Sequence, residues 1–198
     1  MASVSYLEDE KIKISRGMVK GASFVHKFGA VPSLATNTTG TVWDKNDTVY
    51  PWSAWSTSGN VHVDLASSSD LNKYVTVIGL DENYNQISET ITLTALTNNY
   101  SSNTFSRVFR AYVSDGVSNV GQLAIQKGTT DVAIISAGYG QTLMAVYTVP
   151  AGYTFYLTQS NWYINGNSPA AYRSWTQASN GVVNIVLTFP ILDSYNSV

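Results

Sequence analysis

Two-residue alternation is the feature that most constrains this chain. Val61, Val63 and Leu65 alternate with His62 and Asp64, and Ile87, Glu89, Ile91, Leu93 and Ala95 take every second place in Gln86–Leu96. A period of two sends one set of side chains to one face of a strand. A 3.6-residue period is almost absent, and Gly, Asn, Asp and Pro punctuate the runs at short intervals. Many short strands at near-regular spacing predict an all-β fold, an antiparallel β-sandwich or jelly roll. No solenoid or propeller period is present.

The clearest hairpin joins Lys73–Leu80 to Gln86–Leu96 across the turn Asp81–Asn85. Tyr100–Thr104 reads as a polar loop. Further strands are expected at Phe105–Ser114, Val120–Gln126, Val132–Ser136 and Thr142–Val149. Pro150-Ala151-Gly152 presets a turn, after which Tyr153–Ile164 runs back. Asn165-Gly166-Asn167 is another turn. Tyr172–Gln177 and Val182–Phe189 form a last hairpin through Ser179-Asn180-Gly181, with Pro190 ending the strand. Val75, Val77, Ile91, Leu93, Val146 and Leu157 are the expected core.

Residues 1–59 read differently. Lys11–Ile14 and Ser23–Phe28 are expected as short strands, separated and followed by glycines, Pro32 and the polar tract Thr36–Thr41. This stretch predicts an extended N-terminal arm that orders by lying on another surface, with the body at 60–198. Phe24, Phe28, Trp43, Tyr50, Trp52 and Trp55 are its candidate protein-interface residues. The competing reading is that these rings cap the domain's own core.

Hydrophobic residues make up 44% of the 198 and charged residues 12%, which predicts a folded core under a polar, weakly charged surface. Such a surface is covered by a partner without stripping water from many ions. A net charge of −2 argues against nucleic-acid binding. The absence of cysteine removes disulfides and thiolate chemistry. No apolar run reaches membrane-spanning length, and no signal-peptide core is seen at the N-terminus. Asn37, Asn46 and Asn99 match the glycan-acceptor pattern and are expected to be idle.

Chemistry has few footholds. His26 and His62 stand outside any metal-binding frame and read as strand-surface residues. Asp81, Asn83 and Asn85 open like a calcium loop, but Gln86 and Thr92 occupy the places that need Gly and Glu, so a hairpin turn is expected. Asp44, Asp47, Asp64, Asp70, Glu82 and Glu89 offer no spacing that places two carboxylates across a sugar. Gly138-Tyr139-Gly140 lacks the following helix of a phosphate cradle and reads as a turn. No catalytic residue, cofactor or metal ligand is expected. Trp43, Trp52 and Trp55 are the better candidates for stacking on sugar; Trp162 and Trp175 are expected in core or interface.

At Val77–Thr94 (VIGLDENYNQISETITLT) and Gly138–Thr158 (GYGQTLMAVYTVPAGYTFYLT) the chain resembles a family of tailed-phage virion proteins. His26–Asp44 and Phe105–Asp115 resemble it too, in the same order, over most of residues 24–175. Lys45-Asn46-Asp47 replaces an expected glycine-richer turn, and the end at Val198 is earlier than the resemblance leads one to expect. The resemblance implies a virion component and brings no catalytic residues.

The resulting expectation is a non-enzymatic capsid decoration (cement) protein, made in the host cytoplasm and carried in the virion, on the head rather than the tail. Its partners would be other virion proteins, first the major capsid protein, and further copies of itself, most simply a trimer. Nucleic acid and membrane are not expected partners. The alternatives are a tail- or fibre-associated adhesin for host-surface polysaccharide and, third, a polysaccharide-degrading enzyme.

Overall fold

A computed structural model describes residues 10–164, 170–177 and 183–191. The fold is all-β, and every strand pair among the described residues is antiparallel. The chain divides into two units, Met1–Tyr153 and Thr154–Val198.

The first unit holds β1 (Gly59–Leu65), β2 (Tyr74–Leu80), β3 (Gln86–Thr92), β4 (Asn99–Phe105), β5 (Arg107–Val113), β6 (Leu123–Lys127) and β7 (Thr130–Ile135). They form two sheets, ordered β4-β1-β6-β7 and β3-β2-β5. Alternation sends Val61 and Val63 of β1, Leu123 and Ile125 of β6, and Ala133 and Ile135 of β7 to one side. Val75 and Val77 of β2, Ile91 of β3 and Ala111 of β5 answer them in a single apolar cluster. This is a β-sandwich, and each of its fully buried Val, Leu and Ile side chains stabilises it by about 1.5–3 kcal/mol.

Side chains close the sandwich where its sheet edges meet. Glu89 on the edge strand β3 accepts backbone N–H bonds from Ser102 (2.6 Å) and Asn103 (2.8 Å) on the edge strand β4. Asp70, fully buried, accepts from the N–H groups of Val120 and Gly121, both at 2.7 Å, and so anchors the connection into β6. At Gly79 the β2–β5 pairing shifts register. A Cβ there would stand 1.9 Å from the Arg107 carbonyl oxygen, so only glycine permits the approach.

Several expectations change. Lys11–Ile14 lies in the helix α1 (Glu10–Ser15), not a strand. Gly17 at φ 71° ends it with bonds from Gly17 N–H to the Ile14 carbonyl and from Met18 N–H to the Lys13 carbonyl. Ser23–Phe28 forms no strand. Tyr100–Thr104 is not a loop but the middle of β4. Its polar residues hid it: Asn99 donates to the carbonyls of Val63 and Ala95, and Ser101 Oγ accepts the Val61 N–H. Asn99 Oδ1 also takes the N–H groups of Thr94 and Ala95, which stops β3 at Thr92 instead of Leu96.

The boundary expected near residue 60 does not divide the chain. Ala30 N–H bonds to the Leu143 carbonyl, Ala145 N–H to the Val42 carbonyl, and Asp44 N–H to the Ala30 carbonyl. These single bonds hold 142–146 as an extended segment with alternating burial but without the strand expected there. Val146 is in the core as expected.

In the second unit β8 (Ala170–Gln177) pairs with β9 (Val183–Ile191) as a two-stranded sheet. Pro190 lies within β9, opposite Ala171, rather than ending it. Residues 154–164 form no strand, and Leu157 is exposed rather than core. The turns expected at 165–167 and 179–181 lie outside the described residues.

Gly79→Ala is expected to lower unfolding stability by about 3 kcal/mol, since backbone must move to make room. Urea denaturation measures it, and a loss below about 0.5 kcal/mol would contradict the close approach.

Candidate functional site

The six rings expected at an interface separate into two groups. Phe24 and Phe28 are exposed at 42% and 41%. Between them Lys27 turns inward, its ammonium donating to the Phe109 carbonyl on β5. Burial, and then the nearby Arg110 charge, hold the Lys27 pKa down at about 8. His26 packs edge-on against Phe28, at 5.6 Å between centroids.

Trp43, Tyr50 and Trp55 lie in the core of the first unit, with Trp52 packed against it. Trp43 is 2% exposed and donates Nε1–H to the Thr48 carbonyl at 3.2 Å. Tyr50 sits edge-on to Trp43 (5.2 Å) and to Trp52 (4.8 Å). Its hydroxyl accepts the Trp55 Nε1–H at 3.0 Å and donates to the Val108 carbonyl at 3.4 Å. Burial raises the Tyr50 pKa to about 12. The short helical turn Trp52–Trp55 has its last carbonyls covered by Lys127, on Ala54, and Arg107, on Trp55. For these three rings the competing sequence reading is the right one: they cap the domain's own core. That removes Trp43 and Trp55 as sugar-stacking candidates.

The candidate carboxylates serve the backbone. Asp64 accepts the Asn98 N–H, and Asp81 accepts those of Asn83 and Asn85, which makes the hairpin turn. These bonds, that from Asn85 first, hold the Asp81 carboxyl below its usual range. Asp44 is buried, and desolvation pushes its carboxyl up against hydrogen bonds from Ser136. His62 lies on a strand but is buried, with Nε2 3.1 Å from Gln126 Oε1 and its ring tilted against Tyr100. Among the described residues no group of His, Asp and Glu is placed to hold a metal. Asn99, inside β4, makes four hydrogen bonds and has no room for a glycan.

A depression of about 290 Å³ is lined by Lys45, Thr48, Val49 and Asp131 among others. Lys45 and Asp131 pair across it at 2.8 Å, so its charges are already spent on each other.

One group of exposed rings among the described residues is one that sequence reasoning missed. In the second unit Phe155, Tyr156, Leu157, Tyr163 and Trp175 are exposed, Tyr156 and Tyr163 at 78%. Trp162 stacks on Tyr172, with centroids 4.6 Å apart. The expectation that Tyr153–Ile164 runs back as a strand after the Pro150–Gly152 turn gave no sign of it. The available signal was charge: Arg173 alone is charged between Thr154 and Leu192.

Tyr50 and Lys27 give stability opposite slopes in alkali. The stability tied to the Tyr50 proton is complete below pH 10 and is lost as pH rises towards 12. The Lys27 ammonium is disfavoured in the fold, so between pH 8 and 10.5 the unfolded chain binds more protons and this contribution rises with pH. Urea midpoints at closely spaced pH values should show Lys27→Met removing the rise and Tyr50→Phe flattening the fall. Unchanged slopes in both variants would contradict these environments.

Compared with family models, with curated proteins and with solved structures, the chain matches none.

Proposed function

We propose that this chain is a non-enzymatic structural protein of a tailed-phage particle, a capsid decoration (cement) protein that binds and stabilises the head shell. The observation that carries this reading is the second unit, a two-stranded sheet with exposed Phe155, Tyr156, Tyr163 and Trp175. A two-stranded sheet is marginal alone in water and gains stability when another surface covers it. Exposed rings in patches mark protein contact surfaces, and buried aromatic anchors dominate binding energy. With Arg173 the one charge between Thr154 and Leu192, covering this surface strips water from few ions.

On this reading Phe24 and Phe28 form a second contact surface, on the first unit. The partners are the major capsid protein and further copies of the chain. A trimer suits local three-fold positions of a shell. The resemblance of Val77–Thr94 and Gly138–Thr158 to tailed-phage virion proteins supports the same assignment. The protein would be made in the host cytoplasm and reside in the virion.

Cryo-EM of particles that contain the chain is expected to place it on the head. Density confined to the tail would reject the decoration role. Tyr156→Asp with Tyr163→Asp is expected to weaken binding to empty shells at least tenfold, about 1.4 kcal/mol. Unchanged binding would remove the second unit from the interface.

A further inference from the structure

Gly138-Tyr139-Gly140 does more than turn the chain. Both glycines have positive φ, 79° and 69°, and between them Tyr139 stands 60% exposed. A ring left mostly in water in this way adds little to the folding of its own loop. Across from it runs the loop Gly116–Ser118, and between the two lies an open cleft of about 290 Å³. Arg110, Tyr112, Ser118, Tyr139 and Gln141 are the side chains with chemistry that line it.

One buried residue fixes the surroundings of both loops. Asn119 donates through Nδ2 to the carbonyls of Gly121 (2.6 Å), Ile135 (3.3 Å) and Ser136 (2.9 Å). Its Oδ1 accepts the Gly140 N–H at 2.9 Å, and its own carbonyl accepts the Gly138 N–H at 2.8 Å. Lys73 Nζ holds the Ser118 carbonyl at 2.9 Å, and Asp115 accepts the Val117 N–H at 3.1 Å. The walls are therefore set before a ligand arrives, which lowers the entropy cost of binding.

Arg110 lies over Tyr112, 5.1 Å from the ring centroid, and reaches Gln141 Oε1 at 3.4 Å. Among the described residues no carboxylate pairs with it. Most of its five donors stay open, in the fork geometry that fits a carboxylate. The Tyr139 ring offers a face for the C–H side of a pyranose. The Gln141 amide and the Ser118 hydroxyl are suited to sugar hydroxyls. A free inorganic anion would leave the rings unused, and a neutral sugar would leave the guanidinium unused.

We propose that this cleft binds an acidic saccharide, its carboxylate on Arg110 and its ring on Tyr139. The inference goes beyond the decoration role and does not depend on it. It moves sugar recognition away from the tryptophans of residues 43–55 to tyrosines on the other side of the sequence.

The test titrates the full-length 15N-labelled protein with a hyaluronan tetrasaccharide, with tetragalacturonate and with tetrameric oligosialic acid. Chitotetraose and sodium phosphate serve as neutral and inorganic arms. At least one acidic oligosaccharide should give saturable shifts at residues 110–118 and 138–141. Arg110→Met and Tyr139→Ala, both on exposed side chains, should each weaken that binding about tenfold with otherwise unchanged spectra. Chitotetraose should bind at least tenfold more weakly. Absence of saturation by all three acidic ligands up to ~10 mM would overturn the proposal. So would shifts that phosphate reproduces and Tyr139→Ala leaves unchanged, since these would report a bare cation.

Discussion

The Tyr50 hydroxyl, held between the Trp55 indole and the Val108 carbonyl, is the contact on which the first unit depends. It joins the N-terminal segment to the β-sandwich through a buried polar atom with both roles filled. Around it Trp43 and Trp52 pack edge-on, the geometry that aromatic quadrupoles favour. Residues 29–55 thereby become a wall of the domain. Trp43, Tyr50 and Trp55, which look available for a partner in the sequence, are already engaged inside.

This shifts where exposed rings are found. The first unit covers the β4 and β5 edges itself, through Glu89 on β4 and the Gly140–Thr142 segment on β5. Paired or covered edges discourage indiscriminate strand addition. The second unit keeps a ring-rich, nearly uncharged surface in water. The decoration reading assigns the main assembly role to residues beyond Thr154, with Phe24 and Phe28 of the first unit as a second contact.

Much of the fold was legible because alternation reports burial directly. Val61, Val63, Val75, Val77, Ile91 and Leu93 are core residues in strands or at their ends, as the two-residue period requires. β4 was not legible, because an edge strand held by Asn99 and Ser101 needs no apolar stripe. α1 was hidden because six residues are too few to separate a period of two from one of 3.6, although Gly17 marks its end. Residues 142–146 alternate in burial without a ladder, because single backbone bonds to residues 30, 42 and 111 hold them, and residues 151–159 are exposed throughout. Of the candidate interface, Phe24 and Phe28 are exposed. Sequence carries no term for whether an aromatic finds its own domain first, and so Trp43, Tyr50 and Trp55 were not separable from them.

Hydrogen exchange at the amides of β8 and β9 tests the central claim most directly, comparing the dilute free chain with the chain on assembled particles. The account predicts fast exchange in the free chain, as a two-stranded sheet without a cover opens readily, and strong protection after assembly. Equal protection in both states would mean that the sheet is complete within the single chain, and would contradict a surface built to be covered by neighbours.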